Sequence, residues 1–558
     1  MAKRPKKERR TSPPEQTPGT PWLERLPAQV AFLAVLTLIA YGNSFVAGFH
    51  LDDTTMLANP DVVAEASWQD LLHPGAFRPL TILTFRANYL LAGRDPRSWH
   101  WVNVILHIGN AVLVLMLARR YLSPVWAASA AALFAVHPVQ TEAVTYISQR
   151  ASVLAAFFGL LTLLTYLRER RGVSLLFFAL SLLAKEETIA LAALPPLVDY
   201  VERRRPRLLY YSTMLLLAAG AAVRLFWSLG RVSDTNVGFA VKGVPNLLYA
   251  LTQPRVLWKY LQLIVWPANQ NLMHEVELSR GLWSPPSTAL SLLALAGLAV
   301  ALCWLVWLRR APWVWVLGFI ILVSPSSSFV AAADLMFEHR LYFPMWSLLL
   351  GVVWLLQQGL SRFGAPRGLV MALVSVWLAA LTVATMARNL VWKDEVSLWS
   401  DVLAKSPRRP EPYSALGQAL ANRDPARARK LFERGLELNP RDPRLHTNLG
   451  VVLLSRDEPA AALRMLHRAL ELGGDSPIVW TNIAAAHLLQ EQAEAGRQSA
   501  QRALALDPCY LEARRLLMIA QARLAGKAEA YSAGAVPAAC RKTAAEIAAH
   551  ENYRRFYH

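Results

Sequence analysis

The chain has 558 residues, 54% of them hydrophobic and only 17% charged, with a mean hydropathy of +0.27. Soluble proteins carry about a quarter charged residues, so this composition excludes an ordinary soluble globule and points to lipid. The formal net charge of +19 does not indicate nucleic acid, because no reader motif accompanies it and most basic clusters abut long apolar runs.

In chain order, residues 1–27 form a basic segment containing KRPKKERR, Lys3–Arg10. The apolar run Val30–Val46 follows without a clean small-x-small cleavage site, which makes it an uncleaved first helix. A spanning helix needs about 20 mostly apolar residues. Runs of that kind are expected near 28–48, 100–120, 124–140, 151–168, 173–185, 188–201, 208–229, 286–308, 313–330, 342–358 and 368–386. The two short runs within 173–201 can be read as a pair or as one long helix. Parity favours the pair: only then do the basic connections at Arg168–Gly172, Glu202–Arg207 and Arg309–Pro312 all fall on the cytoplasmic side. The segment 246–267 must then not cross. With Arg255, Lys259 and Pro254 within it, it suits an interfacial helix better. The expectation is an all-α chain with about eleven spans, N-terminus inside and C-terminus outside. Its layout would be 1–27, a membrane domain at 28–387 with outer loops 49–99 and 230–285, a second domain at 388–526 and a tail at 527–558.

Four polar stretches then share the outer face: the loop 49–99, His137–Arg150, Ala184–Thr188 and Phe337–Pro344. Ionisable groups at membrane depth are costly and face a cavity or a partner. Asp52 or Asp53 can accept a proton from a hydroxyl nucleophile or hold a divalent metal such as Mg or Mn; either can equally be a helix cap. Arg150, Lys185 and Arg340 are candidates to contact an anionic head group. Against that stand an ion pair for Arg150 and snorkelling for Lys185. His137, Glu142, Glu186, Glu338 and His339 complete the outer polar set, and His137 before Pro138 also fits a hydrogen-bonded loop residue.

The C-terminal part carries a repeat. ELNP ends at Pro440, ELGG at Gly474 and ALDP at Pro508, a 34-residue step taken twice, which is the tetratricopeptide period. Repeats are expected at about 410–440, 441–474 and 475–508, with a capping helix at 509–525. Small residues at Gly417, Gly450 and Gly435 should let paired helices approach closely, and the concave side can hold an extended peptide. Of the three cysteines, Cys509 and Cys540 can pair if this domain is extracytoplasmic, whereas Cys303 sits in an apolar run.

LDDTTMLANPDV (51–62), FRPL (77–80), HPVQTEAVTYISQRASVL (137–154), LLAKEETIAL (182–191), FEHRLYFP (337–344) and WKDEVSLW (392–399) stand together with the repeats. In this combination the chain resembles the transmembrane-and-tetratricopeptide-repeat O-mannosyltransferases and their bacterial relatives, of the GT-C glycosyltransferase superfamily. The resemblance implies a GT-C membrane domain with its active site at the first outer loop. It implies a sugar, mannose by the family's name, carried on a polyprenyl phosphate and transferred with inversion to a hydroxyl of an extracytoplasmic protein held by the repeats. The family's carboxylate matches Asp52 or Asp53 and its late arginine matches Arg340. Animal members carry longer repeat arrays, so the short array here suggests a bacterial inner membrane with the repeats in the periplasm. The competing expectation is a non-catalytic membrane-anchored scaffold for envelope assembly, with the outer polar clusters scattered in space.

Overall fold

The computed structural model describes residues 24–58, 62, 78–229, 237–238, 244–328 and 330–526. The basic stretch 3–10, Phe77, Cys540 and the tail 527–558 lie outside the described residues. The chain divides into two compact units, Met1–Asp394 and Glu395–His558. The boundary falls later than the expected 387/388 for a local reason. The helix Arg367–Val391 continues through that point, and Trp392 beyond it is fully buried in the first unit, stacked 5.5 Å from Tyr146.

The described part of the first unit is mainly helical, with a two-residue antiparallel pairing of Val237–Gly238 with Ala331–Ala332. Among the described residues, seven helices are long and apolar enough to cross a membrane: Leu26–Val46, Pro96–Ala118, Ile147–Leu167, Leu208–Trp227, Ser287–Trp307, Glu338–Arg362 and Arg367–Val391. Shorter apolar helices in this unit are Pro124–Val136, Arg171–Ala184 and Pro312–Ser326. All of these fall on expected runs. The run 188–201 differs: it is a 3-10 segment, Glu186–Ala193, followed by the short helix Leu194–Val201. Pro195 and Pro196 have no amide to donate to a preceding turn, so the α-helix can only begin there. The segment 246–267 forms the helix Asn246–Val265 around an internal Pro254 and is not among the spanning candidates.

The first outer loop is partly helical, with Asp52–Ala58 and Pro79–Ala92. The next helix begins at Pro96, earlier than expected, because Asp95 caps it by accepting the Arg97 amide and Pro96 suits the first helical position. Deeper in, helices touch backbone to backbone. A Cβ on Gly351 would lie 3.0 Å from the Pro312 carbonyl oxygen and 3.1 Å from the Val316 nitrogen. Small residues permit such approaches in membrane bundles.

The second unit opens with the helix Glu395–Lys405 and continues as helix pairs: Glu411–Leu420 with Pro425–Leu438, Pro443–Ser455 with Pro459–Glu471, and Pro477–Leu489 with Ala493–Leu506. Starts at Pro425, Pro459 and Ala493 reproduce the 34-residue step. Leu511–Leu524 follows where a capping helix is expected. The small-residue expectation holds: a Cβ on Gly417 would overlap the Phe432 ring, and one on Gly450 would lie 2.8 Å from Leu466 Cγ. Cys303 is a free thiol and Cys509 is disulfide-bonded.

Candidate active site

The site is assembled from short segments at helix ends. The 3-10 turn Gly42–Val46 ends the first long helix, and the chain then enters Asp52–Ala58, so the two aspartates open a new helix. Neighbours in sequence, they differ in environment. Asp53 is buried: its Oδ1 accepts from the Ser148 amide (2.7 Å) and hydroxyl (2.5 Å), and its Oδ2 accepts from the His50 amide (3.1 Å). Burial pushes the Asp53 carboxyl up to about 7, against the lowering pull of Ser148 and His50. Asp52 is exposed, and its amide donates to the Tyr146 hydroxyl at 3.0 Å. Tyr146 is braced by Trp392, whose carbonyl lies 2.7 Å from His50 Nε2.

These contacts join the first outer stretch to the second. Others close the set. Glu142 takes the Glu338 amide (3.0 Å) and the His339 amide (3.3 Å) on Oε2 and meets His339 Nδ1 at 2.6 Å through Oε1. Burial, then the charge of Glu338, pushes the Glu142 carboxyl up to about 8. Glu338 in turn receives the Asn271 amide (2.6 Å), Gln270 (2.9 Å) and His274 (2.8 Å). His137 is buried, with Nε2 2.9 Å from the Ile264 carbonyl, so the hydrogen-bonded alternative describes it.

The third stretch meets the first, and also the helix that follows the second. Arg78 pairs with Glu186 through both nitrogens of its fork (2.6 and 3.1 Å), and Thr81 donates to the Ala184 carbonyl (3.0 Å). Lys185 is extended between two helical segments, donates to Ser152 at 2.7 Å and pairs with Glu187 at 3.1 Å. Although burial works the other way, Arg78 holds the Glu186 carboxyl down at about 2. Burial also opposes the Arg78 charge, yet Glu186, Glu187 and Asp52 keep it raised.

The three cations expected at a phosphate are not equivalent. Arg150 is fully enclosed. Its guanidinium donates to Asn103 (2.8 Å), Asn88 (2.8 Å) and the carbonyls of Thr84 (3.2 Å) and Trp99 (3.1 Å), between the rings of Phe85 and Trp99. These bonds tie the loop helices Pro79–Ala92 and Pro96–Ala118 together, and among them is no carboxylate such as the ion pair weighed from the sequence. Arg340 is buried on Tyr249 (2.9 Å), the Ser326 carbonyl (3.1 Å) and the Phe337 ring. Lys185 lies close enough to Arg78 for the two charges to act on each other, and Glu187 is close enough to act electrostatically on His339 and Arg340. For a divalent metal the donor set is poor. Both Asp53 oxygens are engaged by hydrogen-bond donors, and among the described residues no group of three or more His, Cys, Asp or Glu side chains is placed to hold an ion.

Arg78, Tyr146 and Ser148 escaped the sequence analysis as site residues. All three lie inside quoted motifs, FRPL and HPVQTEAVTYISQR, where Arg78 directly precedes the proline that starts a helix.

A tetratricopeptide repeat family model matches residues 419–486. The Drosophila melanogaster protein O-mannosyl-transferase Tmtc2 is 38% identical over 197 residues, 30% of this chain and 21% of the fly protein. Human protein O-mannosyl-transferase TMTC2 is 31% identical over 238 residues, 35% of this chain and 28% of the human protein. Mouse TMTC3 is 34% identical over 156 residues, 25% of this chain and 17% of the mouse protein. The chain resembles the TMTC protein O-mannosyl-transferases. It spans less than a third of the length of these relatives. Among solved structures, the MamA RS-1 ArsTM double mutant overlaps at a TM-score of 0.22 with 26% identity, covering 23% of this chain and 73% of that one.

Proposed function

We propose that the protein is an integral-membrane glycosyltransferase of GT-C type with about eleven spans. It would move a sugar, mannose by analogy with its relatives, from a polyprenyl phosphate to a hydroxyl of an extracytoplasmic protein. One observation carries this reading: direct hydrogen bonds and ion pairs join all four outer polar stretches, Asp52–Tyr146, Asp53–Ser148, Glu142–His339 and Arg78–Glu186, into one constellation. A scaffold had no need to gather them. The names of the similar proteins support the reaction class.

In the proposed step, exposed Asp52 takes the proton from the acceptor hydroxyl. The oxygen attacks the anomeric carbon, the bond from that carbon to the phosphate oxygen breaks, and its electron pair leaves with the lipid phosphate, inverting the centre. The transition state has oxocarbenium character, and a fixed cation beside the departing phosphate lowers the barrier; Lys185 serves there. Asp53 holds the His50 and Ser148 backbones so that Asp52 is presented outward. No step requires a metal. The disulfide at Cys509 supports an oxidising, extracytoplasmic side for the repeats, here the periplasm of a bacterial inner membrane, where they would hold the acceptor.

The test is transfer in proteoliposomes supplied with polyprenyl-phosphate sugars and a protein acceptor. Wild type should transfer, and Asp52→Asn should lose about 10²–10⁴-fold, the usual contribution of a general base. Undiminished transfer by Asp52→Asn would remove the base assignment. Absence of transfer by wild type from every polyprenyl donor would favour the scaffold.

A further inference from the structure

Of the outer-face cations, Arg150 and Arg340 are spent on internal partners, and Lys185 is 6% exposed. The Arg78 side chain keeps 24% exposure while paired to Glu186, itself 22% exposed. A guanidinium fork fits a carboxylate and a phosphate in the same bidentate way. Glu186 therefore fills a shape that a phosphate would also fill, at a pair that is partly open to solvent on both sides. The backbone at Arg78 is left-handed, φ 49° and ψ 57°, a conformation seldom adopted by L residues. It aims the side chain across to the 185–187 turn instead of along its own helix.

We propose that Arg78 binds the phosphate of the lipid-linked donor, and that Glu186 occupies its guanidinium until that phosphate arrives. Lys185 and Glu187 form a second cation–carboxylate pair on the same turn as Glu186, so two cations, Arg78 and Lys185, meet at this turn. The Thr81–Ala184 hydrogen bond fixes the two segments together, which preserves the geometry when Glu186 leaves. Asp52 lies close enough for its charge to act on Arg78, so the proposed base and the leaving phosphate share one neighbourhood. The inference rests on the polyprenyl-phosphate donor proposed above.

The experiment measures binding of a polyprenyl monophosphate, and of the polyprenol of equal length, to the full chain in nanodiscs. Wild type should prefer the monophosphate. Arg78→Gln should weaken monophosphate binding about tenfold or more, as expected for loss of a charge-assisted fork contact, and leave polyprenol binding unchanged. Glu186→Gln, which no longer competes as an anion, should tighten monophosphate binding. The double variant Arg78→Gln/Glu186→Gln keeps a neutral hydrogen-bonding pair, which guards against a misfolded single variant, and should bind as weakly as Arg78→Gln. Unchanged affinity in the double variant overturns the proposal. So does Glu186→Gln weakening binding as much as Arg78→Gln, since the pair would then be structural only. A wild type that does not separate monophosphate from polyprenol overturns the donor reading, and this inference with it.

Discussion

At the scale of single residues, adjacency in sequence and equivalence in function come apart. Asp52 and Asp53 are neighbours, yet one is exposed and the other is held by three donors. Asp53→Asn should therefore reduce transfer less than Asp52→Asn, through misplacement of the loop, and a comparison of kcat in the reconstituted assay checks it. Glu142 allows a separate test on stability. Its folded-state pKa, raised by burial and then by Glu338 from 4.5 to about 8, means that the fold favours the protonated form. That contribution is complete below about 4.5 and is lost as pH rises through about 8. Glu142→Gln should flatten the decline of melting temperature across this window in detergent; a slope identical to wild type would contradict it. The sequence offered the acidic pair and the late arginine as site residues, but not which oxygen or guanidinium is already engaged. Those partners lie far away in the chain: Arg340 meets Tyr249, and Arg150 meets Asn88 and Asn103. Nothing local in the sequence records such closures.

At the scale of elements, the apolar runs and the 34-residue step were directly legible, because hydrocarbon sets helix length and stacking sets the repeat. Less legible was 188–201, a short run taken as a crossing on parity, where the structure has 3-10 turns and then a short helix that starts at the prolines Pro195 and Pro196. Helix contacts can be tested at glycines. At Gly351 a new Cβ meets backbone of the neighbouring helix, which cannot move aside as a side chain can. Gly351→Ala should therefore destabilise the bundle by about 1–3 kcal/mol, the usual range for overpacking, read as a lower melting temperature in detergent. Gly417→Ala should destabilise the repeat unit more than Gly450→Ala, because the first meets the stiff Phe432 ring and the second the flexible Leu466 side chain. Circular dichroism melts of the full chain report the difference.

At the scale of the whole molecule, the proposed side of the membrane for each unit rests on the parity and charge read from the sequence, and it is the premise of a protein acceptor. A reporter fused after residue 526 should behave as extracytoplasmic: alkaline phosphatase active, green fluorescence absent. The opposite result would move the repeats to the cytoplasm and overturn the proposed presentation of an extracytoplasmic acceptor. The two units were readable as separate because their sequence periods differ, long apolar runs in one and a 34-residue step in the other. Their boundary was misplaced by a few residues because Trp392 belongs, by burial, to the unit before it.

The enclosed guanidinium of Arg150 has a consequence for biogenesis. Every group that receives its protons, on Thr84, Asn88, Trp99 and Asn103, precedes it in the chain. A ribosome feeding a translocon delivers the receptacle first and the arginine last. The charge then enters a membrane environment that would otherwise reject it with its solvating oxygens already waiting. A permuted chain that released the helix Arg150–Leu167 before residues 79–118 would present the same arginine to lipid alone, and should insert poorly even though its finished fold would be unchanged.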